Sequence, residues 1–219
     1  MPSQERAIVD ELWLIDLDDT LVKKSAMNEL LLELCSPEER ERLIAHNRER
    51  LARRGLDSGA IYNPSNYLND PEKTLVYFVE QSMGSENYIH SDALNFLSRL
   101  PMGKAMIFSF GAEPWQLAKF RALGVSLPIV IIDHSNKTRE LGGSFHDGIY
   151  KIGDFEAESL VLVDDRAYSF DGFDKLVNVR GIFLDRPEFA DAHADDHRSS
   201  YQILPDNVMC ISSLYEIHI

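Results

Sequence analysis

The sequence predicts an α/β protein in which a doubly wound parallel sheet carries an inserted helical segment. Three observations predict this class. From His90 onward, short apolar runs alternate with amphipathic helical stretches, an order typical of parallel sheets that are covered on both faces. Polar residues follow several apolar runs directly, as expected where ligands bind at the carboxyl ends of strands. A long stretch of helical pattern, residues 24–88, separates the first apolar run from the second.

The first strand and the helices after it have clear sequence signals. Residues 12–15 are four apolar residues that run straight into an acidic cluster, which favours a buried strand. Helical spacing of apolar residues follows in 25–36. The stretches 36–55 and 70–84 each begin with a capping residue and proline and end on glycine, which is the usual order of helix start and stop signals.

The second half of the chain predicts alternating helices and strands. Helices are expected at 91–100 and 113–124, and strands at 105–110, 128–133, 159–165, 180–185 and 207–211. The segment 141–151, with its Gly-Gly and Asp-Gly pairs, is typical of a hairpin. We therefore predict a Rossmann-like core from residues 1–23 and 89–219, and a helical cap from residues 24–88.

Composition and charge narrow the possible partners. The chain has 219 residues, 44% of them hydrophobic, which suits one packed domain plus an insertion. No apolar run approaches the roughly 20 residues of a membrane span, so we expect a soluble, cytoplasmic protein. A net charge of −14 argues against nucleic-acid and membrane-surface binding, since both use basic surfaces to attract phosphate. The sequence leaves the oligomeric state open.

Two local features allow more than one interpretation. Six arginines outnumber four glutamates in residues 38–54, which predicts either a solvated helix face or a substrate-binding surface. Cys35 and Cys210 lie in apolar surroundings without metal-ligand spacing, so we expect both to be reduced core thiols.

Acidic side chains gather at the predicted strand ends. Asp16 and Asp18 are two residues apart, so in an extended segment both point the same way, about 6.5 to 7 Å apart. Carboxylates this close repel each other, and a hard cation with oxygen ligands, such as Mg²⁺, would make a group of four tolerable. The residues that follow the strands are Asp16, Asp18, Ser109, Asp133, Asp164 and Asp165. Together with a lysine, such a set suits phosphoryl transfer through an aspartyl-phosphate.

These motifs resemble the haloacid dehalogenase (HAD) superfamily of phosphohydrolases. The run Asp16-Leu17-Asp18-Asp19-Thr20-Leu21 resembles its first motif, D-x-D-x-T/V-L/V. The resemblance implies that Asp16 is the nucleophile and Asp18 the acid/base, with the Asp18 backbone carbonyl also binding Mg²⁺. It further implies that Ser109, in "MIFSFG", holds a phosphate oxygen, and that Asp164 and Asp165, in "VLVDDR", bind the metal together with Asp16 and Asp18.

The third motif of this superfamily is a lysine, and two positions fit it. Lys137 lies four residues after Asp133, at the sheet edge where the third strand is predicted to end. Lys151 lies thirteen residues before Asp164 (164 − 151 = 13). We favour Lys137 as the fourth catalytic residue, and expect the other lysine to lie on the surface.

The resemblance implies a Mg²⁺-dependent phosphatase acting on a small phosphorylated substrate. The helical insertion resembles the C1 cap of this superfamily, which closes over the site. Asp18 favours a phosphatase or a phosphomutase over a dehalogenase or a transport ATPase, because those two classes lack this second carboxylate. A non-enzymatic phosphate sensor would not need this second carboxylate, so Asp18 also argues against that class.

One substrate alternative is a polynucleotide 3′-phosphatase. "VDDR" resembles a segment of polynucleotide kinase-phosphatases, with Arg166 as a counterpart. The net negative charge argues against nucleic-acid ends as substrates.

Two polar segments are further candidates. Residues 191–200 contain His193, Asp195, Asp196 and His197, but they are more typical of an exposed loop than of a metal site, because no apolar pattern orients them. The segment 61–70, with its aromatic and asparagine side chains, fits either substrate selection or a plain interhelical loop.

Overall fold

The protein is described by a computed structural model that covers residues 8–52, 61–186 and 204–219. Its centre is one sheet, whose eight described strands are β1 (Ile8–Ile15), β2 (Ala105–Phe110), β3 (Ile129–Ile132), β4 (Phe145–His146), β5 (Ile149–Ile152), β6 (Phe155–Asp164), β7 (Val179–Leu184) and β8 (Val208–Ile211). The α-helices are α1 (Lys24–Leu34), α2 (Pro37–Ala52), α3 (Pro71–Ser82), α4 (Ala93–Arg99), α5 (Glu113–Ala122) and α6 (Lys137–Ser144). Short 3₁₀ turns cover Pro64–Tyr67, Ala167–Phe170, Phe173–Lys175 and Leu214–Glu216.

The sheet is mainly parallel, which confirms the predicted fold class. Strands run in the order β3-β2-β1-β6, and all of these neighbours are parallel. The second half of β6 pairs in parallel with β7, and β7 with β8. Parallel strands end at the same edge, so the residues after β1, β2, β3 and β6 come together there.

Both faces of the sheet are buried. Trp13 and Ile15 of β1 lie in one apolar cluster with side chains of α1 to α5, whereas Leu12 and Leu14 lie in the opposite cluster. This alternation follows from the two-residue period of a strand. A strand that is buried on both faces consists of consecutive apolar residues, and this pattern is what predicted β1.

The predicted hairpin is confirmed in its second half and wrong in its first. β4 and β5 form an antiparallel pair, joined by Asp147 and Gly148 at φ 53° and 85°. Positive φ at both residues is what a tight two-residue hairpin turn requires. Residues 141–144 instead belong to α6. The Asn136 side chain caps this helix by accepting from the Arg139 N–H at 2.8 Å, and buried Leu141 anchors it despite the two glycines that follow.

The helices between β1 and β2 pack against the same sheet face as α5. The Asp70 side chain caps α3 by accepting from the Lys73 N–H, as the capping residue and proline predicted. Phe78 of α3 meets Trp115 of α5 with ring centroids 4.8 Å apart. The assignment of residues 24–88 to a separate cap stays a prediction.

Cys210 and the arginine-rich helix α2 differ in part from what the sequence predicts. Cys35 is buried as expected, but Cys210 is exposed, because it lies on β8 with its side chain away from the core. Arg42 in α2 donates to the Tyr67 carbonyl and to Asn69 Oδ1, so it ties the helix to the next loop.

Within the described chain, no helix has both the length and the apolar character needed to cross a membrane.

A buried ion pair fixes the C-terminal turn to the loop after β1. Arg186 donates to both carboxylate oxygens of Asp92, at 3.1 and 2.8 Å, and also to the Thr20 carbonyl. The same carboxylate accepts from Ser213 Oγ and from the Leu214 N–H. Asp92 therefore joins three segments that are far apart in the chain.

We expect Asp92→Asn to lower the free energy of unfolding by about 3–5 kcal/mol, since it removes the buried carboxylate to which Arg186 donates twice. The matched control is Glu11→Gln, because Glu11 forms a similar two-point pair with Arg180 on the surface and should cost only about 0–1 kcal/mol. Urea denaturation of both variants measures the difference. Equal, small losses would show that the buried pair does not hold the C-terminal turn.

Candidate active site

The turn after β1 presents Asp16 and Asp18 to one cavity. The Asp16 N–H donates to the Val163 carbonyl at 2.9 Å, which extends the β1–β6 pairing up to the acidic cluster. Leu17 between them is fully buried in the core. Asp19 has φ 60°, a conformation that aspartate tolerates better than most residues, and its side chain accepts from the Lys24 N–H at the start of α1.

Three aspartates form a buried group at the end of β1 and β6. Ligand atoms of Asp16, Asp164 and Asp165 all lie within 4.8 Å of one another. Burial raises the pKa of Asp16 to about 6, with Lys137 opposing the shift and Asp164 adding to it. Burial also raises the pKa of Asp165 well above its usual value. The Thr20 hydroxyl lies 3.4 Å from Asp165 Oδ1, and the Arg166 N–H donates to Asp164 Oδ1.

This donor set fits a hard divalent cation. Three buried carboxylates repel one another and have lost their hydration, so they are costly as a group without positive charge among them. Carboxylate oxygens are ligands that Mg²⁺ accepts in proteins. The Asp16, Asp164 and Asp165 carboxylates could therefore hold such an ion.

The structure places Lys137 beside the acidic group and Lys151 away from it. Lys137, at the first position of α6, donates to Asp16 Oδ1 at 2.5 Å and to Asp164 Oδ2 at 2.6 Å. Burial lowers the pKa of Lys137, but Asp16 and Asp164 outweigh it and raise the pKa above its usual value. Lys151 has a side chain that is 55% exposed and lies near Glu156.

The Asp18 carboxylate lies against a second lysine rather than in the group of three. Lys119 of α5, which is 1% exposed, donates to Asp18 Oδ1, and Gln116 Nε2 lies 3.4 Å from Asp18 Oδ2. Burial raises the pKa of Asp18, but Lys119 and then Lys24 outweigh it and hold the pKa at about 2. Asp18 is therefore ionised at neutral pH in this state.

Ser109 and Gln116 also line the cavity. Ser109 near the end of β2 is buried, and its hydroxyl lies 3.4 Å from Gln116 Oε1. Gln116 also donates to the Phe110 carbonyl at 2.8 Å. A Cβ on Gly111 would lie 2.3 Å from Gln116 Nε2, so a larger residue there would displace this amide from its hydrogen bond to the Phe110 carbonyl.

Gln116 and Lys119 were not among the residues that the sequence pointed to. They lie three positions apart on the buried face of α5, among Trp115, Ala118 and Ala122. Polar residues on an otherwise buried helix face are the signal that could have found them. The polar residues at the strand ends, by contrast, follow apolar runs directly and are visible in short windows of the sequence.

The cavity has a volume of about 140 Å³ and is lined by both parts of the chain. Arg166 and Tyr168, after β6, line it together, with Arg166 Nη1 donating to the tyrosine hydroxyl at 2.9 Å. The helical segment contributes Lys24, Asn28, Asn47 and Tyr62. From α2, an asparagine thus reaches the cavity, whereas the described arginine side chains of that helix do not line it.

Several other candidates lie elsewhere. Asp133 is exposed and does not line the cavity. Of the loop at 61–70, Tyr62 lines the cavity, while Tyr67 packs on His46 with ring centroids 4.4 Å apart. The segment 191–200, with His193, Asp195, Asp196 and His197, falls outside the described residues.

Comparison with solved structures identifies the fold. A haloacid dehalogenase-like hydrolase from Burkholderia xenovorans matches with a TM-score of 0.58 and 18% identity, covering 94% of each chain. A HAD phosphatase from Thermococcus onnurineus matches with a TM-score of 0.54 and 16% identity over 94% of this chain and 95% of the other. The HAD-hydrolase YfnB from Bacillus subtilis, bound to magnesium, has a TM-score of 0.50 and 11% identity over 96% and 97%.

The chain thus combines the fold of HAD-like hydrolases with a buried group of three aspartates. No protein-family model matches the sequence, and no curated protein does.

Proposed function

We propose that this chain is a Mg²⁺-dependent phosphatase that hydrolyses a phosphomonoester through a phosphorylated Asp16. The proposal rests on one observation above all. Asp16 touches Lys137 and borders a cavity that also contains a second carboxylate, Asp18, held by a different lysine. Two carboxylates in different electrostatic surroundings suit different chemical roles. The hydrolase fold and the HAD phosphatase among the similar structures support it.

The carboxylates of Asp16, Asp164 and Asp165 would hold the Mg²⁺, with the backbone carbonyl of Asp18 as a further ligand. When bound, Mg²⁺ would neutralise charge on the phosphate oxygens and on the carboxylates. Lys137 would stay beside Asp16 and balance its charge before and after phosphorylation. Ser109 would donate its hydroxyl hydrogen to a phosphate oxygen.

The reaction takes place in two steps. In the first, an Asp16 carboxylate oxygen attacks phosphorus, the phosphoester bond breaks, and the leaving oxygen takes a proton from the Asp18–Lys119 pair. In the second, Asp18 takes a proton from water, the water oxygen attacks phosphorus, and Asp16 is released as a carboxylate with free phosphate. Because Lys119 holds Asp18 ionised, the resting site is already prepared for the second step.

The helical segment 24–88 is proposed to act as the cap of this site. Lys24 and Asn28 of α1, Asn47 of α2 and Tyr62 line the cavity from that side, which supports the assignment. A cap in this position would exclude water and select the substrate.

Phosphate release from a panel of phosphorylated small molecules tests the proposed function. We expect release from some members with Mg²⁺ and a loss of at least about 100-fold with excess EDTA, because the acidic group then lacks its cation. Restoring Mg²⁺ should restore the rate. Absence of release from every compound would overturn the phosphatase proposal, and transfer of phosphate between two sugar positions without net release would favour a phosphomutase.

A further inference from the structure

We infer that the leaving group of the substrate extends past Asn28 and places an apolar part in a second cavity, between α1 and α2. This inference rests on the proposed function and specifies its substrate class, a phosphomonoester of an alcohol with an apolar end. It comes from two adjoining cavities whose linings differ in polarity.

The second cavity has a volume of about 290 Å³ and borders the active-site cavity. Because Asn28, Asn47 and Tyr62 line both cavities, the two adjoin at these side chains. The remaining lining of the second cavity is formed by Leu32, Leu43, Ile44 and Arg48. A polar boundary is thus followed by a mainly apolar space.

One side of α1 leads from the active-site cavity to the second cavity. Lys24, Asn28 and Leu32 are four positions apart in turn, so they lie along the same side of the helix. Of the two cavities, Lys24 lines only the first, Asn28 lines both, and Leu32 lines only the second. The lining contributed by α1 therefore changes from charged to polar to apolar with distance from the reacting groups.

Helix α2 supplies the other apolar side chains of the second cavity. Leu43 is buried, whereas Ile44 is 42% exposed. Arg48, one turn after Ile44, is exposed. An apolar group bound in this cavity would cover part of the exposed Ile44 side chain and remove both apolar surfaces from water, which favours binding.

The Asn28 side chain at the boundary is available to a ligand. Its Oδ1 atom is buried and accepts no hydrogen bond from any residue in the described ranges. Buried polar atoms in proteins nearly always have a hydrogen-bond partner. A hydroxyl or amino group on a leaving group that passes this point can donate to Asn28 Oδ1.

The path along α1 begins at the leaving-group end of the substrate. Lys24 lies close enough to Asp18 to help lower its pKa, and Asp18 is the residue proposed to protonate the leaving oxygen. The phosphoryl group is proposed to bind by Asp16, Ser109 and Lys137, so the part that continues along α1 is the alcohol. The active-site cavity alone, at about 140 Å³, is smaller than the about 300 Å³ of ordinary ligand pockets, and the second cavity supplies the missing space.

Binding of two alkyl phosphonates tests the inference without turnover. Octylphosphonate and ethylphosphonate have the same head group and differ by six methylene groups. By calorimetry with Mg²⁺, below the concentration at which octylphosphonate aggregates, we expect the wild type to bind octylphosphonate about 10- to 100-fold more tightly, since each buried methylene contributes up to about fourfold. Leu32→Asn and Ile44→Asn place an uncharged amide in the apolar lining and should each reduce this preference at least about threefold.

The matched control is Val76→Asn. Val76 lies on α3, is 51% exposed and lines neither cavity, so the same kind of substitution there should keep the preference. Thermal unfolding of each variant checks folding. Because Ile44 is exposed like Val76, Ile44→Asn should fold even if Leu32→Asn does not.

The outcomes separate this inference from the proposed function. Equal binding of the two phosphonates by the wild type, no binding of either, or a preference that Ile44→Asn reduces no more than Val76→Asn would overturn the inference. If ethyl and octyl phosphate are hydrolysed with equal kcat/KM, the phosphatase stands and the inference fails. If neither ester is hydrolysed but the binding preference depends on Ile44, the phosphatase fails and the apolar binding site stands.

Discussion

Asp16→Asn is expected to lower phosphate release by about four orders of magnitude or more, the loss typical of removing a nucleophile. The amide keeps the shape of the side chain and can still accept from Lys137, so the fold should survive. Steady-state rates with the best substrate of the panel give the comparison. The matched control is Asp133→Asn, an exposed aspartate after β3 that does not line the cavity, which should leave the rate unchanged.

A direct readout separates the loss of a nucleophile from the loss of a metal ligand. Rapid acid quenching of the wild type during turnover, followed by mass spectrometry, should find phosphate on the peptide that contains Asp16. The variant should show none. If Asp16→Asn kept more than about a tenth of the wild-type rate, or if phosphate appeared on another residue, Asp16 would not be the nucleophile.

The same variant has a predictable effect on stability when the metal is removed. Burial raises the Asp16 pKa from 3.8 to about 6, so in EDTA the folded state binds a proton that the unfolded state has already lost in this range. Asp16 therefore reduces stability progressively as the pH rises from about 4 to about 6, by at most about 1.4 kcal/mol per pH unit. Urea denaturation should show Asp16→Asn becoming more stable than the wild type across this window. A constant difference would contradict the raised pKa.

The strand ends were the part of the site that the sequence could predict. Asp16, Ser109 and Asp164 each follow or end an apolar run, and the parallel topology brings such positions to one edge whatever the details of packing. A strand buried on both faces gives a continuous apolar signal, so β1, β2 and β6 were recognisable from short windows. Strand starts were less certain, since β6 begins at Phe155 through pairing with the hairpin rather than through its own apolar run.

Residues placed by tertiary packing gave no such local signal. Lys119 and Gln116 reach the site because α5 turns one face toward the end of β2, and helical periodicity does not show which neighbour that face meets. Arg166 and Lys24 become neighbours only when the segment after β6 and the start of α1 meet at the cavity. The glycine pair at 142–143 favoured a turn locally, yet the Asn136 cap and buried Leu141 outweighed it.

Because Lys119 contacts Asp18, replacing Asp18 is expected to affect stability as well as activity. Asp18→Asn would leave the Lys119 ammonium, which is 1% exposed, without its carboxylate partner, and this should cost about 3–5 kcal/mol of stability. The double variant Asp18→Asn/Lys119→Met removes both charges and should recover most of that stability. It therefore serves as the folded control for the loss of the carboxylate.

We expect Asp18→Asn, alone and with Lys119→Met, to lower hydrolysis of alkyl phosphates by about 10²- to 10⁴-fold, because both steps need the proton carrier. An aryl phosphate with a good leaving group, such as p-nitrophenyl phosphate, does not need protonation in the first step. With it, both variants should release about one equivalent of nitrophenolate rapidly and then stop as phosphorylated enzyme, since no base activates water. Unchanged steady-state rates, or equal losses for both leaving groups without a burst, would show that Asp18 is not the acid/base. The contact between Asp18 and Lys119 would then have another role.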